Sequence, residues 1–111
     1  MSLKEDDEAA GKVAVAQRVT LADIENKIIA EYFFTLDKAV QDAPIHDSLK
    51  IFTIAVIVMQ NGFLIIGESA PAAPENFNAE LGRKLAREQA LRKVWMLEGY
   101  LLREKLSAKT G

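Results

Sequence analysis

The chain has 111 residues, half of them hydrophobic, with a net charge of −2, a pI near 5.4 and no cysteine. This length allows one domain at most, with one modest core. The charge excludes a global attraction to nucleic acid or to anionic membranes, and the lack of cysteine excludes disulfides and thiolate metal sites. We therefore expect the reducing cytosol as the compartment.

The first 17 residues resemble a solvated terminus. They contain the charge run Lys4 to Glu8, followed by Gly11. A charged run with few apolar residues favours disorder. The sequence therefore predicts a disordered tail over residues 1–17 and a single α+β domain over residues 18–111.

A first helix is predicted after Thr20. Thr20 is a suitable N-cap, Asp23 completes a capping box, and Val19 and Ile24 take the positions of a hydrophobic staple. The helix should fade near residues 35–40 and lead into a loop at residues 41–48, because Pro44 disfavours helix at the residue before it. One apolar face is predicted by the spacing of Leu21, Ile24, Ile28 and Tyr32.

A β-hairpin is predicted around Asn61-Gly62, which separates two apolar runs. A two-residue loop would pair Met59 with Leu64, and both faces of the resulting ribbon would be apolar. The alternative is a helix from Leu49 that ends at Gly62. Residues 49–66 are too interrupted by polar residues to predict a membrane span.

A long C-terminal helix is predicted from Glu75 or Phe77 to about Leu106, with Asn76 as an alternative N-cap. Gly82 and Gly99 are expected where another element approaches the helix closely. The second half of the helix is apolar nearly all round, which predicts burial on every side. Its apolar residues are Leu91, Val94, Trp95, Met96, Leu97, Tyr100, Leu101 and Leu102.

Two helices cannot cover both faces of the hairpin and also the whole circumference of the C-terminal helix. The sequence therefore predicts a homo-oligomer, with a two-fold dimer as the simplest closed form. A monomer remains the alternative if the region of Leu36, Val40 and Ile45 covers the second face. The interface candidates are Val56, Val58, Phe63, Ile65, Trp95, Tyr100 and Leu101.

No residue is predicted to be catalytic, and neither a metal nor a cofactor is expected. His46 is the single histidine, and no second histidine or cysteine supports it as a metal ligand. As a base it could pair only with a serine, which is a weak signal of catalysis. The glycines match no phosphate-binding loop. These observations predict a protein that is not an enzyme.

A weak candidate site for an anionic ligand or a partner's carboxylate lies where the hairpin leads into the C-terminal helix. A helix N-terminus attracts anions, and polar residues cluster on both sides of this junction. The candidates are Glu68, Ser69, Asn76 and Arg83. Capping and turn formation explain the first three equally well.

The segment Arg83–Lys93 carries five basic residues, interrupted by Glu88. This pattern is typical of a solvated helix face, and a nucleic-acid interface is the alternative. Further along, Glu98 lies within the apolar half of the helix. It is expected to pair with Arg103, to pair with an arginine across an interface, or to face water at an interface rim.

The chain resembles a family of small bacteriophage and prophage proteins typed on gene products of phages N4 and Sf6. The resemblance covers about residues 18–106, and two positions depart from it, because Pro71 stands where the family often has cysteine and Met96 where it often has proline. The motifs that carry it are Asn61-Gly62-Phe63, Gly67-Glu68-Ser69-Ala70, Pro74-Glu75-Asn76-Phe77, Gly82-Arg83-Lys84 and Trp95 with Leu97-Glu98-Gly99-Tyr100-Leu101-Leu102.

The resemblance implies a phage or prophage origin and a setting in the host cytoplasm, and it implies no activity. Together with the residue patterns, it favours a non-enzymatic oligomeric binding module that acts on a host protein or a small host metabolite. The alternative function is nucleic-acid binding through the basic face of the C-terminal helix.

Overall fold

The computed structural model describes residues 2–110, so Met1 and Gly111 of the predicted segments lie outside the described residues. Short 3-10 helices cover Leu36–Ala39, Asp47–Ile51 and Pro74–Asn76. The main elements within residues 2–110 are α1 (Leu3–Val13), α2 (Leu21–Glu25), β1 (Ile28–Thr35), β2 (Thr53–Met59), β3 (Leu64–Ser69) and α3 (Ala79–Thr110).

The three strands form an antiparallel sheet in the order β1-β2-β3, with β2 in the centre. Because side chains alternate across a strand, Ala55, Ile57 and Met59 share one face, and all three are buried. Ile65 and Gly67 lie on the same face of β3. This inner face packs against α3 and forms the core together with Ile24, Leu91 and Val94.

The contact between β3 and α3 is close enough to involve backbone atoms. A Cβ atom at Gly67 would lie 2.0 Å from the carbonyl oxygen of Ala86 and 2.7 Å from the amide nitrogen of Ala90. Ala86 and Ala90 are themselves fully buried. Only glycine on the strand and small residues on the helix permit this approach.

The α+β class is confirmed, with an N-terminal helix, a hairpin around Asn61-Gly62 and a long C-terminal helix. Thr53–Met59 is a strand, so the alternative of a helix from Leu49 to Gly62 is wrong for this segment. A short 3-10 helix over Asp47–Ile51 precedes the strand. The β-branched residues of the segment favour this outcome.

The extent of the first helix was overestimated by the sequence pattern. Thr20 and Asp23 do form the predicted capping box, with nitrogen–oxygen distances of 2.8 and 3.1 Å. The helix ends at Glu25, however, and Ile28–Thr35 forms β1. Pairing with β2 gives the backbone of this segment hydrogen-bond partners along one side, and its isoleucine and aromatic residues favour strand.

The hairpin register differs by one residue from the prediction. Val58 lies opposite Leu64 and Ile57 opposite Ile65, because the loop has three residues instead of two. The amide of Gly62 donates to the carbonyl of Met59 at 2.8 Å, and Gly62 has a φ of +86° while Asn61 does not have a positive φ. This combination is typical of a type I turn followed by a left-handed glycine, whereas a two-residue Asn-Gly turn needs positive φ at both residues.

Leu3–Val13 forms α1, so the prediction of a disordered tail over residues 1–17 is wrong for this segment. Ser2 caps this helix by accepting from the amide of Glu5 at 3.1 Å, and Leu3 is 4% exposed in the core. Two carboxylates of the charge run have basic partners, since Asp7 pairs with Arg18 at 2.8 Å and Asp6 with Arg92 at 2.9 Å. The hydrogen bond from Arg18 holds the pKa of Asp7 below its usual value.

The N-cap of α3 is Asn78 instead of the predicted Asn76. The Asn78 side-chain oxygen accepts from the amide of Leu81 at 2.9 Å, and its carbonyl accepts from the amide of Gly82 at 2.8 Å. Asn76 belongs to the preceding 3-10 helix, where Pro74 occupies the first position. The proline therefore begins a separate turn, and α3 starts three residues later than Asn76.

The free edge of β3 is occupied by side chains of α3. The amide of Glu68 donates to the side-chain oxygen of Gln89 at 2.7 Å, and the Nζ of Lys93 donates to the carbonyl of Ile66 at 2.6 Å. Both backbone groups would otherwise be open to another strand. The α3 helix therefore covers the inner face of the sheet and also this edge.

Gly67 and Gly99 are predicted to respond to alanine in opposite directions. Gly67→Ala should lower the free energy of unfolding by at least about 2 kcal/mol, because the new methyl group collides with the backbone of α3. Gly99→Ala should raise it by about 1 kcal/mol, because a Cβ there meets no atom within 4 Å and alanine favours helix. Urea denaturation measures both, and equal effects of the two substitutions would contradict the packing described.

Asn78→Ala is predicted to lower the free energy of unfolding by about 1 kcal/mol through loss of the cap. Asn76→Ala is the matched control and should change it by less than about 0.5 kcal/mol, as for an ordinary exposed position. Chemical denaturation followed by circular dichroism compares the two variants. A larger effect at Asn76 would place the helix start where the sequence pattern suggested.

Candidate functional site

The outer sheet face, opposite α3, is apolar and largely open. Tyr32, Leu64 and Ile66 are 58%, 56% and 42% exposed, and Val56 and Val58 are half-buried. Only the end near Ile54 is closed, since that side chain is 8% exposed. By strand alternation and pairing, the outer sheet face consists of Ala30, Tyr32, Phe34, Ile54, Val56, Val58, Leu64, Ile66 and, at its closed end, Glu68.

A second apolar surface lies where α3 passes the hairpin tip, and we call it the tip surface. Phe63, Tyr100 and Leu101 are 57%, 67% and 49% exposed there. With Leu97 and Val94 they line a cavity of about 400 Å³. The sequence pattern predicted that this half of α3 is buried on every side, but residues 2–110 leave part of it exposed.

Glu98 pairs with Lys27 instead of with an arginine or with water. Its Oε2 lies 2.6 Å from the Nζ of Lys27, just beyond α2, and its side chain is 16% exposed. The pair lies at the polar wall of the cavity beneath the tip surface. It joins the start of the sheet to the second half of α3.

Two of the interface candidates lie in the core instead. Ile65 is 5% exposed on the inner face, and Trp95 is half-buried with its indole donating to the carbonyl of Val19 at 3.1 Å. Val56 and Val58 lie on the outer sheet face, and Phe63, Tyr100 and Leu101 belong to the tip surface. The predicted register paired Ile65 with Val58 on one face, and the three-residue loop moves Ile65 to the other face, opposite Ile57.

The four ligand candidates are not brought together. Ser69 and Asn76 line a small cavity of about 90 Å³, while Arg83 lines a different and larger one. Glu68 is exposed at the edge of β3. Two of the four candidates thus share a cavity, and Glu68 and Arg83 lie apart from it.

The larger cavity, which we call the basic cavity, has a volume of about 500 Å³ and lies between the start of α3 and one end of the sheet. A carboxylate, Asp37, also lies on its wall. Thr35 donates a hydrogen bond to Asp37, which holds the pKa of that carboxyl below its usual value. The other main wall residues are Lys38, Lys50, Arg83, Thr53, Phe33 and Phe77.

Sequence patterns missed most of the basic cavity because its residues come from three separate stretches of the chain, 33–38, 50–53 and 77–83. One signal was available. Thr53 is a polar residue at the start of an apolar strand, and it is 2% exposed. Its Oγ1 has no hydrogen-bond partner within residues 2–110. Gly82, predicted to permit a close approach, lies beside it, since a Cβ there would be 2.7 Å from that hydroxyl.

Most of the basic face of α3 is used within the chain. Arg87 contacts Glu31 at 2.6 Å and Glu25 at 3.4 Å, and the bond with Glu31 is the main reason that the pKa of Arg87 is raised. Arg92 pairs with Asp6 at 2.9 Å. Lys93 is bound to a carbonyl at the edge of β3, and Arg83 and Lys84 form no ion pair within residues 2–110.

His46 has a local role at the start of a 3-10 helix. Its Nδ1 accepts from the amide of Ser48 at 3.1 Å, and the residue is exposed. No group of three histidine, aspartate or glutamate side chains that could hold a metal ion occurs within the described part of the chain. Among the helices of residues 2–110, none has the length and apolar character that crossing a membrane requires.

The fold is thus that of a small α+β protein with one long helix behind a three-stranded sheet, and residues 19–106 match the model of a single phage protein family. The chain belongs to the phage protein (N4 Gp49/phage Sf6 gene 66) family. The resemblance found in the sequence is confirmed. No curated protein and no solved structure matches the chain.

Glu98→Gln is predicted to lower the free energy of unfolding by less than about 1 kcal/mol, because Lys27 keeps partial access to water. Glu104→Gln, at an exposed position on the same helix, is the control and should leave stability unchanged. Thermal denaturation at low and high salt provides the measurement. The effect of Glu98→Gln should shrink at high salt, and a salt-independent loss would contradict an electrostatic role.

Proposed function

We propose that this phage protein is a non-enzymatic, homodimeric binding module that acts in the host cytoplasm on a host protein or a small host metabolite. The single observation that supports it best is the open outer sheet face. A soluble single chain seldom leaves the middle of a sheet uncovered on an apolar face, since one solvated face normally carries alternating polar residues.

A second copy of the chain is the partner that suits the outer sheet face. Apart from Glu68 near its closed end, the face carries no charge, so it can lie against itself without leaving a charge unpaired. Its three strands span only about 14 Å by 20 Å. A stable interface buries about 800 Å² on each partner, so the face needs an adjoining surface.

The tip surface provides that addition. Ala86, Ala90, Val94, Leu97 and Leu101 recur at intervals of three and four residues along α3, so they form one row on the helix. The first three are buried against the sheet, and the last two continue past the hairpin tip. A partner on the sheet that extended past the tip would reach both surfaces.

The shape of the chain supports assembly as well. The radius of gyration is 17.1 Å, compared with about 13 Å for a compact domain of this length. The 32 residues of α3 account for the difference, because they span about 48 Å. A second copy that covered the extended half of α3 would make the assembly more compact than the single chain.

Nucleic-acid binding has less support. The basic face of α3 would need free cations, and Arg87, Arg92 and Lys93 already contact acidic or carbonyl groups of the same chain. Strong attraction to a phosphate backbone depends on several such cations acting together. The dimeric binding module is therefore the function that we propose.

The dimer is tested by light scattering coupled to gel filtration between about 1 and 100 μM. The wild type should elute at about twice the chain mass of 12.3 kDa. Leu64→Lys should raise the dissociation constant at least about tenfold, because it places a charge on the exposed part of the outer sheet face. Val15→Lys changes a fully exposed valine outside both surfaces and is the control.

A wild-type mass of 12.3 kDa over the whole concentration range would reject the dimer. Equal effects of the lysine at positions 64 and 15 would reject the outer sheet face as its interface. Native mass spectrometry of the protein purified from host cells then measures the stoichiometry and detects any small molecule that is retained.

A further inference from the structure

We propose that the basic cavity binds a small anion of the carboxylate or phosphate type that is joined to an apolar body. This inference rests on the proposed function as a binding module and names the chemical class of one ligand. Four features of the basic cavity support it: its charge, an unpartnered hydroxyl, the start of α3 and an aromatic wall.

The charge of the cavity wall is positive. Lys38, Lys50 and Arg83 face a single carboxylate, Asp37. Asp37 already accepts a hydrogen bond from Thr35 and lies 3.8 Å from Lys38. Lys50 also has an exposed partner, Asp47, at 3.3 Å, where solvent screens the attraction. An anion entering the cavity would therefore meet more positive than negative charge.

The hydroxyl of Thr53 is the observation that points to a ligand most directly. Thr53 lies on the wall of the cavity, is 2% exposed, and its Oγ1 finds no partner within residues 2–110. Buried polar groups are nearly always hydrogen-bonded, so an unpartnered one calls for an explanation. An anionic oxygen would accept the hydroxyl hydrogen after a rotation of this side chain.

The start of α3 adds donors to the same wall. The first amides of a helix have no partner within the helix, and only that of Leu81 is taken up by the Asn78 side chain. Ala79, the first residue of α3, lines the cavity. The dipole of this 32-residue helix also favours a negative group at this end.

The apolar part of the cavity wall indicates the chemistry of the ligand beyond its anionic group. Phe33 from β1 and Phe77 from the segment before α3 face the cavity, and both are half-buried. The volume of about 500 Å³ is that of a site for a small organic molecule and exceeds what a bare phosphate fills. An aromatic or similarly flat apolar body would pack between the phenylalanines while its anionic group faced Thr53 and Arg83.

The test is a titration of ¹⁵N-labelled protein with phenyl phosphate, inorganic phosphate and phenol at constant ionic strength. Phenyl phosphate should shift the amide signals of Thr53, Ala79 and Arg83, with a dissociation constant at least about tenfold below those of the other two probes. No cavity shift up to 10 mM phenyl phosphate, or equal affinity for inorganic phosphate, would overturn the proposal.

Two variants assign the binding to the cavity. Arg83→Gln should raise the dissociation constant for phenyl phosphate about tenfold. The control Arg103→Gln makes the same chemical change at an exposed position near the other end of α3 and should leave that constant unchanged. Equal effects of the two variants would show that net charge alone attracts the probe, and would overturn the proposal.

Thr53→Val separates a binding role from a structural one. Because the hydroxyl has no partner in the chain, its removal should raise Tm by a few degrees and still weaken phenyl phosphate binding several-fold. A raised Tm with unchanged binding would overturn the role of the hydroxyl, and so would a lowered Tm.

The same titration on Leu64→Lys distinguishes this inference from the dimer. The basic cavity lies on the inner side of the sheet, away from the mutated position, so a monomeric variant should bind phenyl phosphate as the wild type does. Loss of binding in wild type and variant, with an intact wild-type dimer, would reject the ligand site alone. Retained binding with a monomeric wild type would reject the dimer alone.

Discussion

The architecture depends on the backbone contact between Gly67 of β3 and the segment Ala86–Ala90 of α3. With no side chain between them, strand and helix approach so closely that Ile57, Leu91 and Val94 around the contact are excluded from water. The same approach lets Gln89 and Lys93 reach the backbone of β3. Packing of the core and covering of one sheet edge therefore have a common origin.

Because α3 packs against one face of the sheet, apolar side chains are buried on that face and exposed on the other. The inner face of β2 and β3 is buried, but the outer sheet face and the tip surface expose large side chains such as Tyr32, Leu64 and Tyr100. The Lys27–Glu98 pair and the Trp95–Val19 hydrogen bond fasten the middle of α3 to the N-terminal segments. These two contacts therefore hold the exposed apolar half of α3 in place relative to the sheet.

Local signals predicted the parts of the fold that local interactions determine. The capping box at Thr20 and Asp23, the strands on either side of Asn61-Gly62 and the helical periodicity of residues 79–106 are of this kind. Residues 28–35 were predicted as helix because Ile24, Ile28 and Tyr32 have helical spacing. Their strand conformation depends on pairing with β2, which no local pattern contains.

The other differences have equally physical reasons. The sequence Asn61-Gly62 fits both a two-residue and a three-residue loop. The two loops differ in the sign of φ at Asn61, which the sequence does not determine. The acidic run of α1 predicted a solvated tail because its partners Arg18 and Arg92 lie far along the chain. The basic cavity is assembled from three distant stretches of the chain in the same way. Arg83 was found from its position near a helix start, while Lys38 and Lys50 had no such signal.

The two edges of the sheet are unequal, and this limits how chains can join through their backbones. Edge-to-edge addition in a head-to-tail manner would require β1 of one copy to meet β3 of the next and could continue without end. Gln89 and Lys93 occupy backbone groups of β3 that such a strand would need. Only β1 to β1 pairing is left, and it is complete after two copies. The side chains of α3 therefore oppose open-ended addition of copies along the edges of the sheet.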